Sequence, residues 1–168
     1  IDDDARVLGG ARATGEFFSA LGATPLVGRV FAPEEVREGA RVVVISHDIW
    51  RTWFEANPNV VGRTVSLSWA GEFRGVAAAP FTVVGVLPPS IRYPRGSDVW
   101  LPASGGFGGP SSNPMLTVIG RLRPGVSVAS ARAEMEGISN RLAVEHPDAY
   151  GELTSAVGTM REAIQLRA

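Results

Sequence analysis

Hydrophobic positions between Arg41 and Leu67 follow three successive patterns. Arg41 to Ile45 is a short apolar run rich in β-branched residues, which is typical of a buried strand. Ser46 follows it and can cap a helix. From Thr64 onward apolar and polar residues alternate, as in a half-buried strand. This segment therefore predicts strand, helix and strand in one run, and we expect the rest of the chain to be organised around it.

The predicted helix carries an aromatic stripe. Ile49 and Trp53, and likewise Trp50 and Phe54, are four residues apart and so share one face of a helix. We expect this face to pack in the core. Asn57-Pro58 is expected to end the helix, because proline disfavours helical geometry in the residue before it.

The same reasoning predicts the other elements of the first hundred residues, with alternation marking strands and Gly or Pro marking their ends. They are a strand at Ala5–Ala13, a helix capped by Thr14 and ended by Gly22, an irregular loop at Thr24–Pro33, an alternating strand at Phe81–Leu87 and a short strand at Asp98–Pro102. The strands on either side of Ala70–Pro80 are expected to form an antiparallel hairpin with a long tip.

The last third of the chain predicts a separate lobe. Residues 103–114 are almost all turn-formers and are expected to be a flexible linker. Strands are predicted at Met115–Arg123 and Leu153–Met160, on either side of a helix that Ser127 caps. An apolar stripe runs along this helix: Val128, Ala131, Met135, Ile138 and Leu142. The predicted fold is α+β, with a mixed subdomain over residues 1–102 and a β-α-β lobe over residues 115–168.

Composition limits the classes of function. The chain has 168 residues, of which 45% are hydrophobic, enough for one or two globular units. Its net charge is −1 and its basic residues, all arginine, are scattered, whereas a nucleic-acid surface shows a clustered basic excess. The absence of cysteine excludes disulfides and thiolate chemistry. No apolar run reaches the roughly 20 residues of a membrane-spanning helix. Because the chain begins at Ile1 with neither Met nor a signal peptide, we expect it to be a piece of a longer protein.

Two motifs contain residue types found in catalytic or phosphate-binding sites. Ser46-His47-Asp48 has the three residue types of a serine-hydrolase triad, but a triad converges from separated positions. We interpret Ser46 as a helix cap and Asp48 as an acid in the first helical turn. Gly105–Gly109 lacks the Lys-Ser/Thr of a phosphate-binding loop and is interpreted as a mobile loop. The sequence therefore assigns no catalytic or cofactor-binding residue.

Other polar and aromatic groups also have simpler structural interpretations. His47 and His146 would each need further ligands from elsewhere to hold zinc, so no metal site is predicted. The acidic groups are interpreted as solvated: Asp2–Asp4, and Glu34, Glu35 and Glu38. The tryptophans could line a ligand groove, but their apolar phase favours core packing: Trp50, Trp53, Trp69 and Trp100.

Six motifs in a fixed order carry a family resemblance that covers nearly the whole chain. They are GEFFSALGATPLVGRVF (15–31), RVVVISHDIWRTWF (41–54), NPNVVGRTVSL (57–67), FTVVGVLPPSIRYP (81–94), DVWLP (98–102) and GRLRPGVSVASARAEMEGI (120–138). Together they resemble the MacB-like periplasmic core domain of ABC-type transporter permeases.

The resemblance implies an extracytoplasmic, non-catalytic domain of an inner-membrane permease, lying between its first two transmembrane helices. It implies a ferredoxin-like, porter-type subdomain together with an inserted mixed, sabre-like subdomain. ATP would be hydrolysed by a separate cytoplasmic ATPase, so that this domain needs no cofactor. The implied partners are that ATPase subunit, a periplasmic adaptor protein and a second permease copy in a homodimer. No motif is specific enough to carry over a partner-binding residue.

Two departures from the family pattern bear on function. The Ala70–Pro80 connection is longer than the family's usual link. The family also has a further β-α-β segment before the position of Asp4, so the porter-type lobe is expected to be incomplete at its N-terminus and to expose a strand edge. A stand-alone extracytoplasmic module that binds peptide or lipid by strand addition is therefore the alternative. A small hydrolase is a third class, based only on Ser46, His47 and Asp48.

Overall fold

The computed structural model describes residues 6–68, 78–103, 117–151 and 156–165. The chain divides into two compact units, Ile1–Phe107 and Gly108–Ala168. Most of the predicted linker lies outside the described residues, and the predicted boundaries at 103 and 114 stay predictions.

The first unit is built on one six-stranded mixed sheet, whose strands follow the order β1-β6-β3-β5-β2, with β4 also paired to β5. Its strands are β1 (Gly10–Ala13), β2 (Val27–Gly28), β3 (Val42–Ile45), β4 (Thr64–Leu67), β5 (Ala79–Val86) and β6 (Val99–Pro102). Its helices are α1 (Gly15–Leu21), α2 (Pro33–Glu38) and α3 (His47–Phe54), and a 3-10 turn follows at Pro58–Val60.

The strand directions determine which strands begin and which strands end at the same end of the sheet. β1 is parallel to β6, β6 is antiparallel to β3, and β3 is parallel to β5. At one end of the sheet, therefore, β3 and β5 begin while β1 and β6 end. β2 and β4 both pair antiparallel with β5, which confirms the predicted hairpin of β4 and β5.

Apolar clusters cover both faces of this sheet. Cluster A contains Val43, Ile45, Ile49, Val60, Val83, Val86, Val99 and Leu101. Cluster B contains Ala13, Phe18, Phe31, Val44, Val84, Leu87 and Trp100. The predicted alternation over β5 is therefore wrong. Residues 83–87 are all buried, because β5 lies inside the sheet and is packed on both faces.

The central helix is largely as predicted. Ser46 caps α3, since its Oγ accepts a hydrogen bond from the Ile49 backbone N–H at 3.2 Å. Ile49 is buried, and Trp50 and Phe54 pack against cluster A. The expected burial of Trp53 is wrong, because 37% of this residue is exposed and the Arg6 guanidinium lies 6.0 Å from its ring centroid. An aromatic ring tolerates such a position at the edge of a core, where a cation can cover one face.

The first part of the chain differs from the prediction at the cap of α1 and in the loop that follows this helix. Gly22 ends α1 in left-handed geometry as predicted, at φ 69°, but the Thr14 side chain makes no capping hydrogen bond. The segment predicted to be irregular contains β2, which pairs with β5. Phe31 is 3% exposed and confirms that apolar residues hold this segment to the core.

The regular secondary structure of the second unit, in its described residues, is helical. Its helices are α4 (Val128–Glu145), α5 (Pro147–Tyr150) and α6 (Met160–Gln165). Ser127 caps α4 as predicted, by accepting a hydrogen bond from the Ser130 backbone N–H at 3.0 Å. Four residues of the apolar stripe are half-buried, but Met135 is 41% exposed.

The two strands predicted for this lobe are wrong in their described parts. Residues 117–123 and 156–159 form no strand, and Met160 begins a helix. A strand needs a neighbouring strand to satisfy its backbone groups, and the described residues of this unit supply none. The chain is thus a mixed α and β protein as expected, while a ferredoxin-like arrangement of this lobe is not confirmed.

Candidate functional site

Ser46 lies where β3 passes into α3, and both its backbone and its side chain are engaged there. Its Oγ accepts from the Ile49 N–H, and its own backbone N–H donates to the Asp98 carbonyl oxygen at 2.8 Å. The residue is 9% exposed. A hydroxyl used as a cap and withdrawn from solvent is poorly placed to act as a nucleophile.

His47 and Asp48 lie close to each other, and each also has a separate neighbour. His47 Nδ1 lies 3.8 Å from Asp48 Oδ1, and the His47 ring packs edge-on against Trp50. The other carboxylate oxygen of Asp48 lies 3.3 Å from the Arg92 guanidinium. Ser46 is therefore a helix cap, and Asp48 forms an exposed ion pair with Arg92. The three consecutive residues do not converge as a triad.

The described residues among the remaining sequence candidates form no metal-binding group. His47 belongs to the first unit, and His146 in the second unit contacts the Tyr150 ring at a centroid distance of 6.1 Å. No group of three or more His, Asp or Glu side chains is placed to hold a metal ion within the described part of the chain. Gly105–Gly109 and Asp2–Asp4 lie outside the described residues.

Trp100 and Trp50 pack in or against the core clusters and do not line a ligand groove. Trp100 is completely buried in cluster B, and its Nε1 donates to the Tyr93 carbonyl oxygen at 3.2 Å. Trp50 is half-buried and donates from Nε1 to the Asn57 carbonyl oxygen at 2.8 Å. The core interpretation is correct for both residues. Trp69 lies outside the described residues.

Glu35 accepts hydrogen bonds from Arg29 and Ala32, an arrangement called the clasp below, which the sequence did not reveal. The predicted acidic loop is helix α2, and the two carboxylate oxygens of Glu35 accept from both terminal nitrogens of Arg29 at 2.6 and 2.7 Å. Glu35 also accepts from the Ala32 backbone N–H at 2.8 Å. The hydrogen bonds from Arg29 lower the pKa of the Glu35 carboxyl, with a further contribution from Ala32. The same pairing raises the pKa of Arg29. This clasp fixes the connection between β2 and α2.

Replacing Glu35 with Gln is expected to destabilise the protein by about 0.5–1 kcal/mol at pH 7, since Arg29 is half exposed and solvent screens the pair. The folded-state pKa of Glu35 is lowered, so its stabilisation is present above the ordinary value of 4.5 and is lost as the pH falls below it. Denaturant unfolding at pH 7 and at pH 3 should show the difference between the two proteins closing at the lower pH. Glu34→Gln is the control, because Glu34 makes only an exposed contact with Arg37 at 3.3 Å. An equal effect at Glu34 would contradict the role of the clasp.

Asp98 ties three segments of the first unit together. Its side chain accepts from the Gly9 backbone N–H at 2.9 Å, and its own N–H donates to the Gly9 carbonyl oxygen at 2.7 Å. Its carbonyl oxygen accepts from Ser46. Asp98 therefore joins the start of β1 to the start of β6 and to the beginning of α3.

A shallow depression of about 150 Å³ lies at the end of the sheet where β3 and β5 begin. It is lined by Arg12, Gly39, Ala40, Arg41, Phe81, Leu101 and Pro102. Two cations thus stand beside an apolar surface. They are 29 residues apart in sequence, and only the pairing of β1 with β6 and of β6 with β3 brings them to one place.

Several solved structures resemble this chain, and two of them are described here. The periplasmic region of MacB from Actinobacillus actinomycetemcomitans aligns with a TM-score of 0.50 and 21% identity, covering 82% of this chain and 56% of that one. A domain assigned as part of a permease protein from Porphyromonas gingivalis aligns with a TM-score of 0.52 and 19% identity, covering 99% of this chain and 75% of that one. At these identities the likeness shows a shared fold. The chain spans little more than half of the MacB region.

The fold is therefore shared with a periplasmic region of MacB and with a domain of a permease protein. The family model of the MacB-like periplasmic core domain matches residues 2–138, and the chain belongs to this family. The resemblance that the sequence motifs carry is confirmed. The chain is therefore a MacB-like periplasmic domain of an ABC-type transporter permease. A search of curated proteins returns no match. None of the described helices is both long and apolar enough to cross a membrane.

Proposed function

We propose that this domain relays conformational change outside the cytoplasm within an ABC-type permease and contacts the substrate or an adaptor protein during export. The match of residues 2–138 to the MacB-like family carries the proposal. In it, ATP is hydrolysed by a separate cytoplasmic ATPase, the domain itself is not catalytic and needs no cofactor, and the permease is a homodimer of the inner membrane.

The construction of the first unit supports a mechanical role. Its central strands are packed on both faces, and fully buried residues lie at their centre, among them Val43, Val83 and Trp100. Close-packed interiors resist deformation and transmit displacement to their neighbours. A unit of this kind can move as one body while a small number of connecting residues absorb the change in direction.

Distances between spin labels in the full permease, bound to its ATPase in lipid nanodiscs, test this relay. The domain contains no cysteine, so Arg51→Cys on α3 and Arg141→Cys on α4 add one label to each unit at exposed positions. We expect their distance distribution, measured by double electron–electron resonance, to differ between the nucleotide-free and ATP-bound states. The control pair Arg51→Cys with Ser66→Cys lies within the first unit and should not change.

Two outcomes would contradict the relay. One is a distance between the two units that stays constant through the nucleotide cycle. The other is a change of similar size in the control pair, which would mean that the first unit deforms instead of moving as a body.

The alternative is a stand-alone module that binds a peptide or lipid by strand addition. It is supported by the position of β1 at the end of the strand order and by the pairing of β4 with β5 alone among the described strands. Sheet edges of this kind are templates for an added strand. The parent open reading frame separates the two proposals. Spanning helices on both sides of the domain support the permease, and a signal peptide without any spanning helix supports the module.

A further inference from the structure

The two arginines of the depression lie on the same face of the sheet as cluster A. Arg12 is directly opposite Leu101 in the parallel pairing of β1 with β6, and Leu101 belongs to cluster A. Arg41 precedes β3, and its carbonyl oxygen still accepts from the Thr82 N–H at 2.9 Å, so the strand pairing extends to it. Arg41 itself lies in a bend, and it lines the depression together with Leu101 of cluster A and with Phe81, which packs against that cluster.

The surroundings of these two cations favour an anion. Among the described residues, none of the seven that line the depression carries a carboxylate, and Phe81, Leu101 and Pro102 provide an apolar surface. Water is partly displaced by such a surface, which strengthens a charge interaction relative to open solvent. Arg12 already has an interaction within the chain, but a guanidinium has five N–H donors and can serve a second acceptor.

The volume of the depression and the two arginines beside it limit the class of ligand. A volume of about 150 Å³ is smaller than the 300 Å³ or more of a typical site for a drug-sized molecule, so the depression suits one small group. A phosphate monoester has three strong acceptor oxygens and a charge of about −1.5 to −2 at pH 7, so it offers two guanidinium groups more acceptors than a carboxylate does. Arginine also presents parallel N–H donors with the spacing of phosphate oxygens.

We propose that Arg12 and Arg41 form a binding site for a phosphate monoester group, held over the apolar surface of Phe81 and Leu101. Free phosphate and the headgroup of an anionic lipid share this chemistry. The site is independent of the relay, because it needs only the first unit.

Titration calorimetry of the full chain with inorganic phosphate at low ionic strength tests the site. We expect saturable binding, a dissociation constant at least about tenfold higher in Arg41→Ala, and a smaller loss in Arg12→Lys, which keeps the charge but not the forked donors. Arg51→Ala is the matched control, since it removes one exposed arginine from α3, away from the depression. Circular dichroism of each variant checks that the fold is retained.

Vesicles distinguish the source of the phosphate. Flotation with phosphatidic acid vesicles that fails in Arg41→Ala and is competed by inorganic phosphate would support a lipid headgroup as the ligand. Binding of inorganic phosphate without flotation would support a free phosphate compound. No saturable binding to either probe, or an equal loss in Arg51→Ala, would overturn the proposal.

Discussion

Replacing Trp100 with Ala is expected to lower the free energy of unfolding by about 3–5 kcal/mol. Trp100 is completely buried on β6 and has the largest of the fully buried side chains. Its removal leaves a cavity in cluster B and an unsatisfied Tyr93 carbonyl oxygen. Urea unfolding followed by circular dichroism measures the loss.

Trp53→Ala is the control for this loss. More than a third of Trp53 is already in water, so its replacement should cost clearly less than that of Trp100. Trp100→Phe keeps most of the volume and should cost about 1 kcal/mol for the hydrogen bond to Tyr93, together with a small packing loss. Equal losses at Trp100 and Trp53 would contradict the burial described for β6.

Replacing Gly85 with Ala is expected to destabilise the protein by about 3 kcal/mol. Gly85 lies in β5 opposite Gly28 of β2, and a Cβ at Gly85 would overlap the Arg29 carbonyl oxygen. The obstacle is backbone, so it cannot rotate away as a side chain would. The pairing of β2 with β5 must therefore open. Thermal unfolding gives the shift in stability, and hydrogen exchange at Leu26 and Arg29, whose N–H groups bond to β5, shows where pairing is lost.

Gly137→Ala is the opposite control. Gly137 lies within helix α4, and a Cβ there meets nothing within 4 Å, so alanine should stabilise by up to about 1 kcal/mol through its better helix propensity. A Gly85→Ala protein with unchanged stability and unchanged exchange at Leu26 would contradict the close approach of β2 to β5.

The parts of the fold that depend only on residues close in sequence are predictable from the sequence. The cap at Ser46 and the left-handed end at Gly22 are decided within a few residues, and both were correct. Burial was less predictable, because it depends on what packs from elsewhere. The pattern over β5 predicts one buried face, but clusters on both faces bury residues 83–87. The helical stripe predicts Trp53 in the core, but Trp53 is partly exposed and faces Arg6.

The candidate sites depend still more on distant residues. Asp98 looks like an ordinary polar residue before a strand, and only its bonds to Gly9 and Ser46 show that it joins three segments. Arg12 and Arg41 are two of many scattered arginines in the sequence. A strand order in which β6 lies between β1 and β3 brings them together, and pairing order is set by the whole fold.

The parallel pairing of β1 with β6 determines how the first unit responds to a pull. The chain enters the sheet at Gly10 and leaves it at Pro102, at opposite ends of these neighbouring strands. Tension applied at these two points loads the ladder in shear, so that its hydrogen bonds bear the force together. An antiparallel pair pulled from one end would instead unzip, one bond at a time. The Ala103 N–H, bonded to the Ala13 carbonyl oxygen at 3.0 Å, extends this load-bearing contact beyond the last residue of β6.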